Sequence, residues 1–223
     1  MDLLRVYRTL RRALGSDDWW QAAGPWEVMV GAVLAQRTTW RSVDRALRSL
    51  QAAGLLAPEA LAAAPPSQVE ACVRPTGFYR TKARRLRRMA AHVLRAAGSV
   101  EAFLARPPAG LRRDLLALEG VGEETADAIL LYAAGHATPV VDAYTRRILA
   151  RLGHPLPPGS ADAARRLRAE LPHRVEEHRR FHALMVELGK RHCRPAPRCA
   201  PCPLLDLCPH GRGVVGDPPQ AGL

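Results

Sequence analysis

Four cysteines lie in one tight run, Cys193, Cys199, Cys202 and Cys208, with the spacing C-x5-C-x2-C-x5-C. Four thiolates this close in sequence can converge on one inorganic centre, because the loops between them are short and rich in proline. Zinc sites more often pair two C-x2-C knuckles from separate parts of a chain. A single run with only one C-x2-C suits the larger [4Fe–4S] cube, whose corners need ligands spread around it. Zinc, or cysteines that hold nothing, is the alternative. The fifth cysteine, Cys72, reads as a small buried hydrophobe.

A second chemical signature is the stretch Leu115-Leu116-Ala117-Leu118-Glu119-Gly120-Val121-Gly122-Glu123-Glu124-Thr125-Ala126. Glycines on either side of Val121 permit a sharp hairpin, and a helix begins just after it. Backbone N–H groups exposed at a helix start can hold a phosphate, helped by the helix dipole. The pattern predicts a helix-hairpin-helix, a clamp on the DNA backbone that ignores base sequence. A simple turn between two helices is the bland alternative. Farther along, Asp142 precedes the helical run Ala143-Tyr144-Thr145-Arg146-Arg147. It can serve as an ordinary N-cap. An ionised carboxylate there can also stabilise a developing cation and orient an attacking water.

The elements that position these groups read as helices throughout. Leu3, Leu4, Tyr7, Leu10 and Leu14 recur at helical spacing up to Gly15. A second helix is predicted from about Trp26 to Ala35, and a third from Ser42 to Gln51, halted by Gly54. Breaks follow at Pro65-Pro66, Pro107-Pro108 and Pro157-Pro158-Gly159. A long helix from Val175 to His192 buries Phe181, Leu184, Met185 and Leu188 and delivers Cys193 to the cysteine loop. Period-two alternation is nowhere sustained, so the fold class is all-α. Residues 211–223 read as a flexible tail.

Composition points to a polyanionic partner. The chain has 223 residues, enough for one large or two small domains, and a formal net charge of +12. Only Lys82 and Lys190 among its 33 basic residues are lysines. A GC-rich genome explains the choice of arginine over lysine but not the excess of positive charge. Met1 to Arg5 lack the apolar core of a signal peptide, and no stretch approaches a membrane span. Clustered cysteines suit a reducing compartment. The expectation is a monomer in the bacterial cytoplasm, associated with the nucleoid.

Taken in order, these motifs resemble the endonuclease III family of DNA glycosylases. The resemblance covers nearly the whole chain: Val33-Leu34-Ala35-Gln36, then Thr76-Gly77-Phe78-Tyr79-Arg80-Thr81-Lys82-Ala83, the hairpin, the loop Gly135-His136-Ala137-Thr138-Pro139 ahead of Asp142, and the cysteines. The family's first cysteine gap usually holds six residues; here it holds five. The resemblance implies two helical domains flanking a DNA cleft. One is a six-helix barrel, residues 24–136, with the helix-hairpin-helix at about 113–133. The other is a [4Fe–4S] domain built from residues 1–23 and 137–210.

Site residues follow from the same resemblance. Asp142 would be catalytic, and Gln36 would fill the gap left by an extruded base, with a partly exposed helix-end glutamine of no special role as the alternative. Gly120, Val121 and Gly122 would grip the backbone of damaged double-stranded DNA; the basic run Arg80, Lys82, Arg84 and Arg85 reads from its charge either as a further contact to that backbone or as a solvated helix face. Backbone carbonyls of Leu116, Leu118 and Val121 would hold a monovalent cation, with their side chains in the core.

One departure matters most. Bifunctional members carry a lysine where this chain has Glu124; its amine attacks the sugar and forms the Schiff base needed for strand cleavage. A carboxylate cannot form that imine. Glu123 and Glu124 complement the helix dipole, and Glu124 could also attract a cationic alkylated purine. The motifs look most like the lysine-lacking 3-methyladenine glycosylase branch. A monofunctional glycosylase of base excision repair is therefore expected. The alternatives are a lyase-active enzyme on oxidised pyrimidines and a catalytically weak DNA-binding relative.

Overall fold

Capping and proline chemistry set most helix starts in this chain. In the computed structural model, which describes residues 2–15 and 22–216, Asp2, Thr39, Ser99 and Asp142 each cap a helix with a side-chain oxygen. Pro25, Pro58, Pro66, Pro108 and Pro209 open helices instead, where a missing N–H costs nothing. The double prolines at 65–66 and 107–108 are thus starts as well as breaks.

The helices are α1 (Leu3–Leu14), α2 (Pro25–Leu34), α3 (Trp40–Ala52), α4 (Pro58–Ala63), α5 (Pro66–Val73) and α6 (Tyr79–Ala97). They continue as α7 (Val100–Leu104), α8 (Pro108–Leu116), α9 (Glu123–Tyr132), α10 (Ala143–Arg151), α11 (Ser160–Glu170), α12 (Val175–Arg191) and α13 (Pro209–Val215). No strand occurs among the described residues, and none of the described helices is long and apolar enough to cross a membrane.

The chain divides into two units, residues 22–136 and residues 1–21 with 137–223. In the first, α6 packs on α4, α5 and α7, while α9 packs on α2 and α8. Its core includes Met29, Leu50, Leu86, Met89, Phe103 and Leu115. Cys72 is buried there, as its type suggested. In the second unit α12 is the spine, with α1 and α10 laid against it around Val6, Leu10, Ile148, Leu149, Phe181 and Leu184. Gly189 of α12 lets the Tyr144 ring of α10 lie directly on the helix, since a Cβ there would stand 2.2 Å from Tyr144 Cδ1. That close approach fixes the start of α10, and so fixes Asp142.

Two expectations are corrected. Residues 211–215 belong to α13 and not to a tail: Pro209 opens the helix, and Cys208 Sγ accepts from the Gly211 N–H at 3.3 Å. Residues 217–223 lie outside the described residues. Leu116, expected in the core, is 36 % exposed at the end of α8, where its neighbour Leu115 takes the inward position.

Candidate DNA-repair site

The hairpin joins α8 to α9. Gly120 adopts φ +81°, a left-handed conformation that favours glycine, and a Cβ there would strike the Arg85 guanidinium. Gly122 differs. Its backbone is extended, nothing stands within 4 Å of a built Cβ, and it gives α9 no side-chain cap. The N–H groups at the head of α9 are therefore presented without a cap, the arrangement that receives a phosphate oxygen. The Leu118 carbonyl accepts from the Val121 N–H at 3.1 Å, closing the turn.

Acidic residues around the clamp would repel phosphate, yet arginines answer most of them. Glu119 pairs with Arg84 and Arg88, each at 2.5 Å, and the Arg84 hydrogen bond leads the effects that hold its carboxyl below the usual range. Arg112 binds Asp127 at 2.8 Å and reaches Glu123 at 3.5 Å. The Asp127 hydrogen bond is the main reason the Arg112 pKa is raised. Glu124, at the second position of α9, is exposed.

Beside the hairpin, Gln36 and Lys82 are both tied to backbone carbonyls. The Gln36 amide donates to Gly120 O at 2.8 Å and to Thr125 Oγ1 at 3.2 Å, and its carbonyl accepts from Arg85 at 3.3 Å. It braces the hairpin. Lys82, expected among DNA-facing cations, is only 2 % exposed. Its ammonium donates to the carbonyls of Leu34, Gln36 and Thr76 at 2.9, 2.9 and 2.8 Å, matching its three protons to three acceptors. Burial, with Arg85 nearby, lowers its pKa to about 8. Arg80 remains exposed, near the Tyr79 ring.

Two residues with unusual backbone conformations flank this cage. Arg37 and Phe78 have φ of +54° and +46°, the left-handed region that bulky residues avoid. With Gln36, Thr81, Lys82 and Arg85 they line one concavity, and Phe78 stands 65 % exposed beside it.

In the other unit Asp142 is 6 % exposed and caps α10, its Oδ1 accepting from the Thr145 N–H at 2.7 Å. Its Oδ2 lies 3.8 Å from Nε2 of His182 on α12. Burial pushes the Asp142 carboxyl up, but His182 and the Thr145 N–H outweigh it and leave the net pKa below the ordinary value. The carboxylate is ionised at neutral pH.

The four cysteines of the loop line a single cavity. Arg151 donates to Cys193 Sγ at 3.3 Å, and to the carbonyls of Arg194 and Pro195. Such donors suit sulfurs that carry negative charge. Among the described residues no three His, Cys, Asp or Glu side chains gather as a site for a metal ion.

Residues 30–173 match the HhH-GPD superfamily of base excision DNA repair proteins. The chain belongs to this superfamily. A Methanocaldococcus jannaschii protein, itself only provisionally assigned as a DNA repair glycosylase, is 36 % identical over 92 % of this chain and 95 % of its own. The H. pylori 3-methyladenine DNA glycosylase, solved with 1,N6-ethenoadenine, is 29 % identical with a TM-score of 0.75, covering 86 % of this chain and 98 % of that one. An endonuclease III in a non-covalent DNA complex gives a TM-score of 0.81 at 26 % identity, covering 96 % of each chain.

As an HhH-GPD protein the chain is a DNA glycosylase with the expected all-α architecture. Within one unit the structure gathers Gln36, Gly120, Val121 and Gly122 at the hairpin; within the other it sets Asp142 at the head of α10. His182 was missed by sequence reasoning. Its signal was the helical phase of α12, where it follows the buried Phe181 and falls one turn after His178. The Arg112–Asp127 bridge was missed too, because residues fifteen apart on two helices share no period.

Proposed function

We propose that this HhH-GPD protein is a monofunctional DNA glycosylase that removes an alkylated, cationic purine such as 3-methyladenine from double-stranded DNA. The observation that carries the reading is the fate of the amines. Glu124 occupies the place where lyase-active relatives carry lysine, Lys82 is enclosed by three carbonyls, and Lys190, the other lysine, lies exposed in the last turn of α12, outside both the hairpin and the Asp142 cap. Water is then the nucleophile. Its oxygen bonds to the sugar carbon as the glycosidic bond breaks, the bonding pair leaves with the cationic base, which departs neutral, and the proton lost by the water passes to solvent.

Each unit brings its own groups to this reaction. The open head of α9 grips a phosphate irrespective of sequence. Asp142 places a full negative charge beside the sugar, where positive charge develops as the bond breaks. Phe78 offers an exposed aromatic face that suits contact with bases in a duplex opened to extrude a nucleotide. A purine that is already cationic needs little leaving-group activation, and Glu124 attracts its charge.

The cysteine loop is read as a [4Fe–4S] site with Cys193, Cys199, Cys202 and Cys208 as ligands. Four cysteines lining one cavity, in a run with a single C-x2-C, suit the corners of a cube. When bound, the cluster would tie the loop to α10 and α12. Purified protein should be brown and contain about four irons per chain; a colourless, one-zinc protein would contradict this assignment.

The test of the reaction is a duplex exposed to a methylating agent, followed by separate heat, alkali and borohydride treatments. Base release should leave abasic sites that break only with heat or alkali, with no covalent complex trapped. Trapping, or release of oxidised pyrimidines alone, would overturn the monofunctional or the substrate reading respectively.

A further inference from the structure

We infer that His182 is a positioning residue for Asp142, acting on the one carboxylate oxygen that the helix cap leaves over; the inference rests on the glycosylase reading above. The two oxygens of Asp142 have different surroundings. Oδ1 is held by the Thr145 N–H at 2.7 Å as the N-cap of α10. Oδ2 takes no part in that cap and faces His182 Nε2 at 3.8 Å. This separation is too long for a resting hydrogen bond but short enough for a small rotation of either side chain to close it.

Both groups are held by the fold. The His182 and Asp142 side chains are 11 % and 8 % exposed. His182 lies in the buried stretch Phe181–Val186 of α12, and Asp142 is anchored by the packing of α10 on that same helix through Tyr144 and Gly189. A carboxylate attached by one oxygen can still pivot about that attachment. An imidazole over the second oxygen limits the pivot and fixes which lone pair meets the sugar or the attacking water. A misplacement of about 1 Å at such a centre costs on the order of a hundredfold in rate.

His182→Phe keeps ring bulk and removes the nitrogens, while His182→Gln returns a polar amide near the place of Nε2. The measurement is the single-turnover rate of base release from methylated duplex at saturating protein, beside the affinity for undamaged duplex and the melting temperature. For His182→Phe a fall of about ten- to a hundredfold is expected, the size of one hydrogen bond to a charged group. Affinity and melting temperature should change little, and His182→Gln should recover much of the rate.

Equal rates for wild type and His182→Phe would overturn the inference, as would a His182→Gln rate no better than that of His182→Phe. If His182→Phe loses melting temperature along with rate, the Gln variant decides: recovery of folding without recovery of rate also overturns it. Wild-type protein that releases no base from methylated duplex would instead refute the substrate reading, which keeps the two failures distinct.

Discussion

Lys82 and Asp142 are both buried charges, one in each unit of the chain, and their surroundings are opposite in kind. Lys82 meets three carbonyls with three protons, leaving nothing for a ligand. Asp142 has one oxygen capped and one held at 3.8 Å from an imidazole. A buried charge fully matched by dipoles serves the scaffold. A buried charge matched on one side only retains capacity for chemistry. The first ties the end of α2 to the turn before α6, where Arg37 and Phe78 hold their left-handed conformations. The second places an anion where positive charge can appear.

The sharpest way to break this contrast is through stability. Lys82→Met leaves three carbonyls without their donor and should cost about 3–5 kcal/mol, or roughly 10 °C in melting temperature. Asp142→Asn should cost less than about 1 kcal/mol, because asparagine caps a helix nearly as well. Calorimetry that showed the two variants equally stable would remove the distinction.

A third buried titratable group extends the comparison. Burial, with the charges of His173 and Arg168, lowers His178 to about 4, so the folded chain holds it neutral. The unfolded chain protonates it near the ordinary value of about 6.5. Between these two values the unfolded state binds more protons, so this contribution to stability is present above pH 6.5 and lost as pH falls toward 4. Denaturant midpoints measured across that window should decline with acid, and His178→Phe should flatten the slope.

Smaller effects are expected at the hairpin. Gly120→Ala forces a side chain into φ +81° and onto Arg85, so it should lower stability by about 1 kcal/mol. Gly122→Val enters open space and should leave the melting temperature near wild type. It would stand before the uncapped N–H groups, weakening undamaged duplexes of every sequence alike and reducing the salt dependence of binding. A sequence-selective loss would argue against a backbone clamp.

Much of this was legible in the sequence because it is local. The capping role of Asp142, the Gly120-Val121-Gly122 turn and the helix starts depend on a few adjacent residues. Lys82 was misread on charge type, among Arg80, Arg84 and Arg85. Its helical phase told otherwise, since positions 82, 86, 89 and 93 form the buried stripe of α6 with Leu86, Met89 and Val93. The Gln36 brace and the pairing of Arg112 with Asp127 were not legible, because each joins residues whose contact exists only once the helices have packed.

The central claim is that the partly unmatched charge of Asp142 performs the chemistry while the rest of the molecule holds DNA. It is tested most directly by Asp142→Asn, assayed for single-turnover base release from methylated duplex and, separately, for binding to it. The account predicts that release falls by at least about a hundredfold, with affinity and melting temperature close to wild type. A variant that releases base at the wild-type rate, or loses activity only as far as it loses binding, would contradict it.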